Sequence, residues 1–93
     1  MAAKVTVHIP TPLRRQVDDQ AKLELAGGTV REVLDDLGRR YPKLRERLFN
    51  ERDELNRFVN VFVNDDNIRD LDGVDTVLAP GDVVTFLPAV SGG

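Results

Sequence analysis

Val5, Val7 and Ile9 alternate with Lys4, Thr6 and His8 over residues 4–9, the two-residue period of a strand with one buried face. The next stretch, "PTPLRRQVDDQ", carries two prolines and paired aspartates and reads as a turn-rich connection. Alternation returns in "AKLEL", residues 21–25, with Ala21, Leu23 and Leu25 expected inward, so the two strands form a hairpin with a long loop. Then the period changes. Val30, Val33, Leu34, Leu37 and Tyr41 recur at helical spacing, one apolar stripe on a helix of about three turns. Thr29 and Glu32 have the spacing of a capping box, in which hydroxyl and carboxylate each satisfy an orphan amide. Pro42 disfavours helical geometry at Tyr41 and marks the end. "LRERLF" suits a further short turn of helix, and "NERDELN" is a polar loop.

The strongest strand pattern is "RFVNVFVN", residues 57–64, followed by "NDDN", a turn of residues that tolerate left-handed geometry. "IRDLDGVDTVL" makes a short strand or an irregular return, "APGD" turns again, and "VVTFLP", residues 83–88, is an apolar, β-branched last strand. The order is strand, strand, helix, strand, short strand, strand. It predicts one α+β domain, a mixed sheet of four to five strands packed on one main helix. The segment 57–64 offers two apolar rows, Val59, Val61 and Val63 against Phe58 and Phe62 flanking Asn60. Valines suit a sheet face under a helix, and Asn60 is costly to bury unpaired, so the valines are assigned inward. Equivalent parity turns Val84 and Phe86 inward and Val83, Thr85 and Leu87 outward.

Composition narrows the function classes. Thirteen basic against 16 acidic residues give a formal net charge of -3, spread along the chain, which argues against nucleic-acid or anionic-membrane partners. No apolar run approaches the roughly 20 residues of a membrane span, and the amino terminus lacks a signal-peptide pattern, so the expected location is the cytoplasm. The absence of cysteine removes disulfides, thiolate zinc sites and any thioester on the chain's own side chains. His8 has no second histidine to join it and reads as an exposed strand residue. Asp65, Asp66, Asp70, Asp72 and Asp75 lack the regular ligand spacing and terminal glutamate of a calcium loop and read as a solvated acidic turn. "AGG" at 26–28 lacks the Lys-Ser/Thr of a phosphate-binding loop, and Arg39 and Arg40 simply complement the helix dipole. No nucleophile, base or metal constellation points to an enzyme.

With that order of elements in place, "RFVNVFVNDDNIR", "LAPGDVVTFLP" and the terminal "PAVSGG" resemble the ubiquitin-like sulfur carriers of the MoaD/ThiS type, most closely the CysO-type carriers of cysteine biosynthesis. The specific part is the combination of a Gly-Asp turn, an apolar strand and a tail ending on Gly-Gly. The resemblance implies a β-grasp domain over residues 1–87 and a flexible tail over 88–93. It implies a carrier rather than a catalyst. An E1-like partner uses ATP and Mg to adenylate the carboxylate of Gly93, a sulfur source converts it to a thiocarboxylate, and the sulfur passes to an acceptor synthase. This chain binds no cofactor of its own. The closest branch implies a cysteine synthase-like acceptor and a metalloprotease that releases the product. Molybdopterin, thiamine or thiosugar biosynthesis stays open as the destination, as does a ubiquitin-like modifier joined to lysines. A third class is a binding module with no terminal chemistry.

The residue chemistry agrees. A carboxylate is a poor electrophile until adenylation makes it a mixed anhydride. Six residues reach at most about 20 Å, enough to enter a partner's pocket. Gly92 and Gly93, with Ser91 and Val90 before them, let a narrow channel close on the backbone. Pro88 lacks an amide donor, so strand pairing is expected to stop there. In a β-grasp sheet the third and last strands are neighbours, which brings Phe62 and Leu87 together on the outer face. With Phe58 and Val83 they form the expected docking patch for the activating partner.

Overall fold

The computed structural model describes residues 3–56 and 59–88, so Phe58, Val90, Ser91, Gly92 and Gly93 lie outside the described residues. Strand β1 (Ala3–His8) pairs antiparallel with β2 (Lys22–Gly27), in a register from Ala3↔Gly27 to His8↔Lys22. The connection between them is more regular than its prolines suggest. Thr11–Val17 forms a 3-10 helix that buries Leu13 and Val17, with Pro10 as its N-cap. Asp18 and Asp19 then adopt φ of 56° and 60°, turning the chain into β2.

The inward assignment of β2 needs one correction. Leu25 is buried and Leu23 half-buried, but Ala21 is exposed and precedes the strand. Cover over β2 comes from the following helix, which packs tightly against Gly27. A Cβ there would stand 2.7 Å from Val33 Cγ2. β2 is also an edge strand, and burial of its inner row declines from Gly27 and Leu25 through Leu23 to Ala21.

Helix α1 (Val30–Arg40) buries Val30, Val33, Leu34 and Leu37, the expected stripe, and leaves Tyr41 half-buried as its C-cap. Thr29 Oγ1 accepts the Glu32 amide at 3.2 Å, while Glu32 Oε1 accepts the amide of Gly28 at 2.8 Å. The returning carboxylate thus reaches one residue further back than a capping box requires. Tyr41 leaves helical geometry with φ −134° and ψ 81°, as a residue before proline should. A second helix, α2 (Pro42–Leu48), starts at once with Pro42 in its first turn, where a missing N–H costs little, and buries Leu44 and Leu48.

β3 (Val59–Val63), β4 (Asp66–Asn67) and β5 (Val83–Pro88) complete a five-stranded sheet of order β2-β1-β5-β3-β4. Only the β1–β5 pair is parallel. The return from β4 is irregular, with 3-10 turns at Ile68–Asp70 and Gly73–Asp75. Two backbone bonds fasten it to the start of α1: Val30 N–H to Thr76 O at 3.1 Å and Leu78 N–H to Gly28 O at 2.9 Å. Val5, Val7, Val61, Val84 and Phe86 on the sheet form one core with Val33, Leu34, Leu37, Leu44 and Leu48 on the helices. This is the β-grasp arrangement, with α2 added to the one main helix expected.

Candidate functional site

Parity assigns the faces of the central strands as expected. Val59, Val61 and Val63 are buried, as are Val84 and Phe86. Phe62, Val83 and Thr85 are half-buried on the opposite face, and Leu87 is 47% exposed there. Phe62 lies across from Thr85 and Asn60 across from Leu87, so Phe62 and Leu87 are diagonal neighbours, within side-chain reach on a sheet face. The row continues sideways, because Thr85 also pairs with His8, and His8 with Lys22. His8 is half-buried in this row rather than fully exposed.

The base of β5 is held by a clamp built from two turns that are separate in the sequence. Asn64 takes φ of 56° and Gly81 φ of 89°, and both turns fold back onto the strand ends. Asn64 N–H donates to Val83 O at 2.7 Å, and its Oδ1 accepts the Val83 amide at 3.1 Å. Its Nδ2 donates to Asp82 Oδ1 at 3.2 Å, and Asp82 Oδ2 accepts the Ala79 amide at 2.8 Å. The clamp fixes where β5 begins against β3. It therefore fixes the register that sets Leu87 beside Phe62 on the outer face. The "NDDN" and "APGD" motifs carried the turn residues, but not their side-chain bonds to each other.

A second polar cluster lies on the helical side. The guanidinium carbons of Arg31 and Arg45 each stand 5.0 Å from the Phe49 ring centroid. Asp53, at φ of 62°, binds both arginines, and its Oδ2 lies 2.8 Å from Arg31 Nη2. Asp35 adds a bond to Arg31 Nε at 3.2 Å. The neighbouring recess, about 320 Å³, is lined by Arg45, Glu46, Phe49, Asn50 and Glu51. Its guanidinium is already engaged by a carboxylate, so the cluster reads as a fastening of the α2–β3 loop. Arg39 and Arg40 lie 3.6 and 3.3 Å from Asp36, which accounts for that basic pair within the helix. Among the described residues no group of histidines and carboxylates is arranged to hold a metal, and no helix is long and apolar enough to cross a membrane.

Comparison with known proteins agrees with this architecture. The ThiS family profile matches residues 7–93. The sulfur carrier protein CysO of Mycobacterium tuberculosis is 44% identical over 91 residues, 96% of this chain and 98% of that protein. The solution structure of small archaeal modifier protein 1 from Methanosarcina acetivorans superposes with a TM-score of 0.91 at 35% identity, covering 100% of this chain and 99% of the other. CysO in the Amycolatopsis orientalis BexX/CysO complex gives a TM-score of 0.86 at 43% identity, covering 96% and 99%. By sequence and by fold, the chain belongs to the ThiS family of ubiquitin-like proteins.

Proposed function

We propose that the chain is a sulfur carrier whose reactive group is the carboxylate of Gly93. The observation that carries this reading is the 44% identity to a named sulfur carrier over nearly the whole of both chains. The carboxylate attacks the α-phosphorus of ATP in an E1-like partner, pyrophosphate leaves, and an acyl-adenylate forms. A sulfur nucleophile then displaces AMP and leaves a thiocarboxylate, ionised at neutral pH and strongly nucleophilic. ATP and Mg belong to the partner, and this chain supplies no catalytic side chain. Val90, Ser91, Gly92 and Gly93 thread the partner's channel, where the two glycines keep the backbone narrow.

The sulfur passes to an acceptor synthase. Similarity to CysO favours cysteine biosynthesis, with a cysteine synthase-like acceptor and a metalloprotease that frees the product. The complex of a CysO with BexX supports a carrier that docks on a separate protein. Intact-mass measurement on the protein from its native host tests the reading. One oxygen replaced by sulfur is expected; an unmodified carboxylate under sulfur-replete growth would overturn it. The likeness to small archaeal modifier protein 1 favours, as a second reading, conjugation to lysines, which the same spectra report as conjugates of higher mass.

Docking of the activating partner falls on the outer sheet face. Among the described residues Leu87 is its most exposed apolar member, and it lies on the last strand, β5. Leu87→Asp is expected to weaken partner binding by about tenfold or more, as loss of a central apolar anchor does. Little change in unfolding midpoint is expected, because the side chain is 47% exposed. Calorimetric titration against the activating enzyme and a urea melt check the two halves, and unchanged affinity removes Leu87 from the interface.

A further inference from the structure

β5 is gripped unequally by its two neighbours. Its pairing with β3 extends to Val59↔Pro88, whereas its pairing with β1 stops three residues sooner, at His8↔Thr85. The parallel ladder explains where it stops. In such a pair a residue donates its N–H to the carbonyl before its partner and accepts from the amide after it. Thr6, opposite Val83, obeys this rule by donating to Asp82 O at 3.0 Å. Two residues on, His8 takes the equivalent place opposite Thr85. The next rung falls to Pro10 opposite Leu87. Pro10 would have to donate to Phe86 O, and the amide of Pro88 would have to donate to Pro10 O. Neither proline has an N–H.

The chain around Pro10 is also committed elsewhere. Pro10 O accepts the Leu13 amide at 2.9 Å in the 3-10 helix. Ile9 N–H donates to Ala21 O at 2.9 Å, and Ile9 O accepts Arg14 Nε at 3.1 Å. With φ −68° and ψ 151°, Pro10 is still extended, so the rung is missing for want of donors and not because β1 has already coiled away.

We propose that Pro10 is a positioning residue for the reactive tail: with Pro88 it deletes the rung that would tie the end of β5 to β1. By the same rule the Phe86 amide still bonds His8 O, and beyond it Leu87 and Pro88 are held on the β3 side alone, so the end of β5 has one strand to detach from instead of two. This deepens the carrier reading and rests on it, since release matters because Gly93 has to enter a partner's pocket. The consequence is kinetic. A restored rung must break each time the tail is offered, so it lowers the rate of activation without altering the docking face.

The test restores the donors in Pro10→Val, Pro88→Val and the double variant, with Pro10→Ala as a less bulky control for folding. Amide hydrogen exchange on the isolated proteins reads the ladder directly. The new amides at 10 and 88 are expected to be protected in the double variant. ATP–pyrophosphate exchange with the adenylating enzyme of the same host reads the function. Its maximal rate is expected to fall about three- to tenfold for each restored backbone hydrogen bond, the equilibrium equivalent of that bond, at unchanged dissociation constant. Unprotected amides in every folded variant overturn the ladder assignment. Protection with an undiminished rate overturns the positioning role. An unaltered protein that supports no exchange at all defeats the carrier reading instead, and the exchange-protection arm still decides the ladder.

Discussion

Deleting Gly93 is expected to abolish thiocarboxylate formation and leave the unfolding midpoint where it was. The core described among residues 3–56 and 59–88 runs from Ala3 to Phe86. The chemistry depends on distance. Removing one residue withdraws the carboxylate by about 3.3–3.6 Å. Reacting atoms need to approach to about 3–3.5 Å, and a 1 Å misplacement alone can cost about 100-fold in rate. A loss of about 100-fold or more in adenylation is therefore expected, with the partner still bound through the sheet face. An added alanine after Gly93 should have a similar effect, because it displaces the carboxylate past the reacting position and adds a Cβ in the narrow part of the channel. Thiocarboxylate in the shortened protein, seen by intact mass, would remove Gly93 from the role.

Phe86→Ala is expected to have the opposite profile, with the fold failing first. Phe86 is fully buried in the central strand, directly across from Val61, and belongs to the core shared with both helices. Truncating a buried phenylalanine costs about 3–5 kcal/mol, from lost transfer energy and the cavity left behind. Domains of this size hold only about 5–15 kcal/mol in all, and each kcal/mol moves the midpoint by about 4–8 °C. Urea denaturation should show the loss as a lower midpoint at unchanged slope. A loss below about 1 kcal/mol would mean that the core closes over the cavity, against the packing seen around β5. Leu87, the next residue, points to the other face. Adjacent positions on one strand thus separate stability from the proposed docking face.

Much of this architecture was legible because strict alternation has few interpretations. The rows Val5–Val7 and Val59–Val61–Val63 could face only one way once Asn60 was kept out of the core. The stripe from Val30 to Leu37 was equally plain, and Pro42 marked its end. What stayed hidden was set by partners distant in sequence. The 3-10 helix at Thr11–Val17 lacks a helical period long enough to register, and Pro12 with Pro10 just before it reads as loop. The exposure of Ala21 depends on where α1 lies over β2, which alternation does not encode. The bonds joining Asn64 to Asp82 pair two separate turns, and those from Asp53 to Arg31 and Arg45 join a loop to two helices. Each looked like an ordinary turn or a solvated charge when read alone. On the candidate site, the register brought Phe62, Val83 and Leu87 onto one face as the alternation required, while Phe58 and the tail lie outside the described residues.

The strand order has a consequence for the protein's synthesis. β5 is made last, yet it lies in the middle of the sheet, between β1 and β3. A nascent chain that has not yet passed Val83 leaves those two strands without their common neighbour, and its β1–β2 hairpin has no sheet to join. The outer face proposed for docking, shared between Phe62 on β3 and Val83 and Leu87 on β5, does not exist until that insertion is complete. Truncated products of translation therefore present neither that face nor the tail, and on the carrier reading an activating partner is expected to engage only chains that have been finished and folded.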